Sequence, residues 1–217
     1  MEIQTVSKEI CEIIGTGSSG NAVLYHRQIL IDIGVPYSKI EPFKKEIQLI
    51  ALTHEHLSDH LNVAALKKLC KERPLIRVCC GQWMVKYLDG IKNVDVLEPG
   101  LIYDYGSFKL SIFKLFHDVE NCGYRIFKGK HKSIHITDTA HVQGITALNY
   151  DLIAIEHNYS NEVVEERIKE KRQIGVFCYE IGAINSHLSE EQAKEFIFKN
   201  AGENTQILRL HESSNNI

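Results

Sequence analysis

Residues 53–60 read THEHLSDH, with three histidines and two acids in eight positions. A folded core needs none of these groups. A metal ion needs imidazole and carboxylate donors of this kind. His54 and His56 are two residues apart, so at an extended strand end they project to the same side. Asp59 and His60 follow after a short turn. Leu61, Ala65 and Leu69 then mark one face of a helix. The ligand groups therefore converge from a strand-to-helix loop. Neutral imidazoles with a carboxylate suit Zn²⁺, and also Mn²⁺ or iron. The bland alternative is a polar surface loop.

Outward from this loop the chain alternates short apolar segments with turn residues. Ile10 to Ile14, Ala22 to Tyr25, Ile29 to Ile33 and Leu49 to Thr53 read as strands. GTGSSGN, Gly15 to Asn21, separates the first pair. Arg77 to Cys80 and Val94 to Leu97 are further strands, with a short helix around Trp83 to Leu88 between them. Leu101 to Thr137 is strand-like, with a turn at Gly106 and a hairpin around Gly129. Leu152 to Glu156 is a buried strand, and Asn161 to Arg172 a charged helix. Ser189 and Gln192 have capping-box form and open a helix through Lys199. Ile207 to Leu210 is the last strand. Two sheets with helices outside would bury all of this.

The 217 residues fit one domain, 1–217, and their composition, 44% hydrophobic and 24% charged, is ordinary for a globular protein. A net charge of −3 shows no strong basic field, although a local patch is compatible with it. The six cysteines form no C-x-x-C pair, which excludes a zinc knuckle and favours reduced thiols in a cytoplasmic protein. MEIQTVSKEI lacks a signal-peptide apolar region, and no apolar run approaches the ~18 residues of a membrane span.

THEHLSDH resembles the second motif of the metallo-β-lactamase superfamily, and the resemblance extends along nearly the whole chain. It implies an α/β fold, the αββα four-layer sandwich of metallo-β-lactamase type. LIDIG supplies Asp32, which the resemblance casts as a support for the ligands. LFHDVENCGYRI supplies His117, SIHITDT supplies Asp138, and ILRLHESSNN supplies His211. Each has a plainer reading: a strand-end histidine, a turn-capping aspartate, a histidine near the terminus. The order of GTGSSGN, ITDT, IEHNYS, SHLSEEQA and the final H-x-S-x-x-N is similar to the bacterial WalJ/YycJ-like group of exonucleases. His157 and Tyr159 depart from that group's usual residues around Asn158.

The resemblance implies two divalent metal ions, Zn²⁺ first and Mn²⁺ second. His54, His56 and His117 would hold one ion, and Asp59, His60 and His211 the other, with Asp138 bridging. Paired cations lower the pKa of a bound water to near 7 and so make hydroxide available as a nucleophile. Asp59 would also orient it. In related phosphodiesterases a histidine in a segment like SHLS faces the phosphate, which gives His187 that catalytic role, with ligation as its alternative. Ser18, Ser19 and Asn21 become a substrate-contacting rim, where a plain turn is the other reading. The function expected is a metal-dependent phosphodiesterase or exonuclease acting on nucleic acid or another phosphodiester. A hydrolase of a small ester, thioester or lactone is the alternative, and a non-catalytic binding protein a third. A diiron redox role is disfavoured, because His56 stands where such proteins usually carry an acid.

Overall fold

β4 (Leu49–Leu52) is buried at every residue and ends directly before Thr53 and His54. In the computed structural model, which describes residues 6–178 and 180–212, this strand lies inside a six-stranded sheet. Its neighbours in chain order are β1 (Cys11–Gly15), β2 (Ala22–Tyr25), β3 (Ile29–Ile31), β5 (Arg77–Cys80) and β6 (Val94–Val96). β1, β2 and β3 pair antiparallel, and β3 to β6 pair parallel. The β2–β3 turn carries His26 and Arg27 at φ 48° and 56°, the positive values that a tight hairpin demands.

Two helices serve this sheet, α1 (Tyr37–Ile40) and α2 (Val63–Glu72). Asn62 caps α2, its side chain accepting from the Ala65 amide at 3.0 Å. Ala65, Leu66 and Leu69 lie on the buried stripe of α2 and join Leu30, Ile50, Leu52 and Val78 in one core. The helix expected at Trp83 to Leu88 is a short 3₁₀ segment, Gln82–Tyr87.

The chain divides by contact density into two units, with Thr5–Tyr103 forming one and Asp104 onward the body of the other. The second sheet holds β7 (Tyr103–Asp104), β8 (Lys109–Phe116), β9 (Glu120–Lys128), β10 (His131–Ile136), β11 (Leu152–Glu156) and β12 (Gln206–Leu210), in the order β12-β11-β10-β9-β8-β7. β8, β9 and β10 pair antiparallel, whereas β10, β11 and β12 pair parallel. It follows that β8, β10, β11 and β12 all point the same way and end at one edge.

Its helices are α3 (Asn161–Gln173), α4 (Glu180–Ser186) and α5 (Glu190–Asn200). The capping box of α5 is complete: the Gln192 amide donates to Ser189 Oγ at 3.2 Å, and the Ser189 amide to Gln192 Oε1 at 2.8 Å. Ala193, Phe196 and Ile197 of α5 pack with Ile134, Ile136, Ile153 and Ile155 of the sheet. The sequence pattern did not reveal α4, because its seven residues include Gly182 and its apolar Ile181 and Ile184 are exposed. No disulfide joins the six cysteines.

Candidate metal-binding and catalytic site

In the first unit, the parallel pairing of β3 and β4 brings Asp32 beside Thr53, because each stands just past its strand. Asp32 is 1% exposed and adopts φ 58°, a left-handed conformation uncommon for a residue with a side chain. Its Oδ1 accepts from the Thr53 amide at 2.9 Å, and its Oδ2 from Thr53 Oγ1 at 2.8 Å. Oδ2 also lies 2.7 Å from Nδ1 of His60. Thr53 Oγ1 in turn lies 2.8 Å from Nδ1 of His54. With its own proton given to Asp32, the hydroxyl accepts from His54. One carboxylate therefore orients two imidazoles through their Nδ1 atoms and turns both Nε2 lone pairs outward. This is how proteins prepare histidine for a metal.

His54 and His60 are fully buried, with ring centroids 4.1 Å apart, and His56 is half-buried with its ring 4.6 Å from that of His54. Asp59 Oδ1 accepts from Ser58 Oγ at 2.8 Å. Glu55, the other acid of the loop, is paired with Lys86 at 2.5 Å.

The GTGSSGN segment braces this loop from behind. Asn21 is buried, and its Nδ2 lies 2.8 Å from Nε2 of His60 and 3.2 Å from the Asp59 carbonyl. Its Oδ1 accepts from the Gly17 amide at 2.9 Å. Asn21 Nδ2 thus donates to the nitrogen of His60 that a metal would take, and that contact must yield for Nε2 to bind. Ser18 and Ser19 are exposed. The backbone of Gly34 lies directly against Asp59, so an added Cβ would overlap the Asp59 carbonyl. Gly34→Ala should therefore push the Asp59–His60 peptide aside, lower metal affinity and cost ~1–3 kcal/mol of stability, as overpacking usually does. A melting temperature and metal isotherm equal to wild type would show that the loop yields freely.

In the second unit the shared strand direction delivers His117 after β8, Asp138 after β10, Glu156 at the end of β11 and His211 after β12. Asp138 and His211 adopt φ 54° and 47°, so both unit sites place side chains through left-handed turns. Asn121 Nδ2 donates to the Asp138 carbonyl at 2.6 Å, and Thr137 Oγ1 donates to its Oδ2 at 2.8 Å. Glu156 is fully buried; its Oε1 accepts from the amides of Thr139 at 2.7 Å and Leu188 at 3.0 Å. Its Oε2 lies 3.0 Å from Nδ1 of His187.

His187 and His211 stack with ring centroids 5.1 Å apart, and their Nδ1 atoms lie 3.3 and 3.5 Å from Asp138 Oδ1. Ligand atoms of Asp138, Glu156, His187 and His211 all fall within 4.8 Å of one another. His117 donates from Nδ1 to the Ser186 carbonyl at 2.8 Å, which presents its Nε2 as the donor atom. Burial holds this imidazole below its ordinary value of 6.5, against the opposing pull of Asp138 and the Ser186 carbonyl. A neutral ring at neutral pH is the form that binds metal.

Glu156 was not singled out by the sequence. The available signal was an acid closing an otherwise apolar buried strand, LIAIE. His135 is a buried strand residue and Cys122 lies buried within β9. Ser213 to Asn216 of the H-x-S-x-x-N segment lie outside the described residues.

No protein-family model matches the chain, and no curated protein matches it. Solved structures do. The metallo-β-lactamase fold protein YhfI from Bacillus subtilis aligns over 95% of this chain and 87% of its own, with a TM-score of 0.67 and 16% identity. Human tRNase Z, short form, aligns over 94% and 93%, with 0.66 and 16%. A diphosphatase from the PhnP family aligns over 94% and 85%, with 0.63 and 13%. The chain has the metallo-β-lactamase fold, an α/β architecture of two sheets with helices.

Proposed function

We propose that the protein is a metal-dependent hydrolase of phosphodiesters, a nuclease of the WalJ/YycJ-like kind working as one domain in the cytoplasm. The observation that carries this reading is the cluster of buried Asp138, Glu156 and His211 with half-buried His187. Two carboxylates so close together and so deeply buried favour a cation, because their like charges otherwise penalise one another. The donor types fit Zn²⁺, and Mn²⁺ as the alternative. His54, His56 and His117 would hold one ion, Asp59, His60 and His211 the second, and Asp138 both. When bound, the paired ions supply a Lewis acid for the phosphoryl oxygens and an ionised water at neutral pH.

The chain's own groups do the rest. Asp32 fixes the tautomers of His54 and His60. Glu156 anchors His187 through Nδ1, and the ring, when protonated, would donate from Nε2 to a phosphoryl or leaving oxygen. Exposed Ser18 and Ser19 offer hydroxyl donors to the substrate. Two similar structures are named as a tRNase and a diphosphatase, names for enzymes that cut phosphate linkages, which supports phosphoryl chemistry here. The net charge of −3 favours the second reading, a hydrolase of a small ester, thioester or lactone.

Elemental analysis of the purified protein, with turnover of bis(p-nitrophenyl) phosphate, an oligonucleotide and a lactone, tests both. The expected result is a pair of ions per chain and phosphodiester turnover that EDTA abolishes and Zn²⁺ or Mn²⁺ restores. A protein that takes up no metal on reconstitution would remove the metal centre. Turnover of the lactone alone would establish the second reading.

A further inference from the structure

The ligand loop stands at the carboxyl ends of β3 and β4. The opposite edge of the same sheet carries a cavity of about 520 Å³, built from the last turns of α2 and the segments that enter β5 and β6. Three lysines line it: Lys67 and Lys71, one turn apart on α2, and Lys92 ahead of β6. None of the three makes an ion pair among the described residues. Other lysines of this unit do: Lys44 pairs with Glu72 at 2.7 Å, and Lys86 with Glu55 at 2.5 Å. Asp89 is the one acid lining the cavity. Lys71 is also suited to the helix C-terminus by its charge, but Lys67 and Lys92 have no such reason to be there.

Between the lysines the wall is apolar: exposed Pro74 and half-buried Ile91 line it, with the buried Ile76 beneath them. It is also fixed in shape. Asn93 Nδ2 donates to the carbonyls of Pro74 at 2.8 Å and Ile76 at 3.3 Å, which ties the two strand entries together. β4 has four residues, so the cavity stands at least ~13 Å along the sheet from the ligand loop.

We propose that this cavity is a second binding site, for a small organic phosphate with a planar or apolar body of nucleoside size. The lysines are donors for the phosphate. The apolar wall covers the body, and Asp89 accepts from a hydroxyl or amine on it. A bare phosphate would leave that wall uncovered, and the volume lies in the usual range of ~300–1,000 Å³ for small-ligand sites. The inference does not depend on the hydrolase reading.

The test is calorimetric titration of the full chain in EDTA with AMP, adenosine, inorganic phosphate and a short single-stranded oligonucleotide, with amide shifts followed at Gly90 and Ile91. AMP should bind in the millimolar range or tighter, and more tightly than adenosine or phosphate. Lys67→Gln, Lys71→Gln and Lys92→Gln combined should weaken it at least about tenfold, since even exposed charge pairs sum over three positions. His54→Ala, at the other edge, should leave AMP binding unchanged. Absence of AMP binding, or equal binding by the triple variant, would overturn the proposal. So would an oligonucleotide that binds more tightly than AMP with the same lysine dependence, because the cavity would then take a strand.

Discussion

His56→Ala is expected to lose most phosphodiester turnover, by more than about 10²-fold, and to lower metal content at the first ion's position. Loss of a group that merely supports a ligand already costs ~10–100-fold in metal affinity or activity, and His56 is assigned as a ligand itself. It is half-buried on the turn after β4, so its removal leaves the strand and the Asp32–Thr53–His54 hydrogen bonds intact. The fold should survive, and the loss should be chemical. Asp138→Asn makes the companion case. The Asn121 contact is to the Asp138 backbone carbonyl, at 2.6 Å, and does not need the carboxylate. A neutral amide bridges cations poorly, so turnover should fall while the chain still folds. Metal content and activity at wild-type level in either variant would refute the ligand assignment.

His187→Ala and His211→Ala should part company. His187→Ala is expected to retain both ions and to lower turnover by about 10²–10⁴-fold, the usual worth of general acid–base help. His211→Ala is expected to lose the second ion. Geometry alone leaves the two rings nearly equivalent, since they stack and both approach Asp138 Oδ1. Their other partners differ. Nδ1 of His187 is 3.0 Å from Glu156, whereas Nδ1 of His211 is 2.9 Å from the Asn158 amide. Asn158 Nδ2 donates to that nitrogen, so Nε2 of a neutral His211 carries the proton; binding through Nε2 requires the Asn158 contact to yield. Metal content and rate measured on the same preparations decide the matter. Loss of a metal in His187→Ala, with both kept in His211→Ala, would exchange the roles.

Much of this architecture was legible in local pattern. Apolar segments bounded by turn residues located the strands, from β2 at Ala22–Tyr25 to β11 at Leu152–Glu156. The capping residues Ser189 and Gln192 marked the start of α5 because a cap is a contact three residues long. THEHLSDH marked a candidate ligand loop because its donors are neighbours in the chain. α4 escaped, since seven residues with an exposed apolar face carry too little periodicity to register.

The remaining features depend on contacts that no local window contains. Asn21 meets His60 across 39 positions, and Glu156 meets Leu188 across 32. The first contact makes GTGSSGN a brace for the ligand loop as well as a candidate rim. The second seats a buried glutamate beside His187. Local hydrophobic pattern and hydrogen bonding along the chain set the secondary elements and the donor types. Which donors meet is set by strand direction, because parallel pairing sends β10, β11 and β12 to one edge. It is set also by the close backbone approach at Gly34, where the absence of a Cβ lets the Asp59–His60 peptide sit where it does.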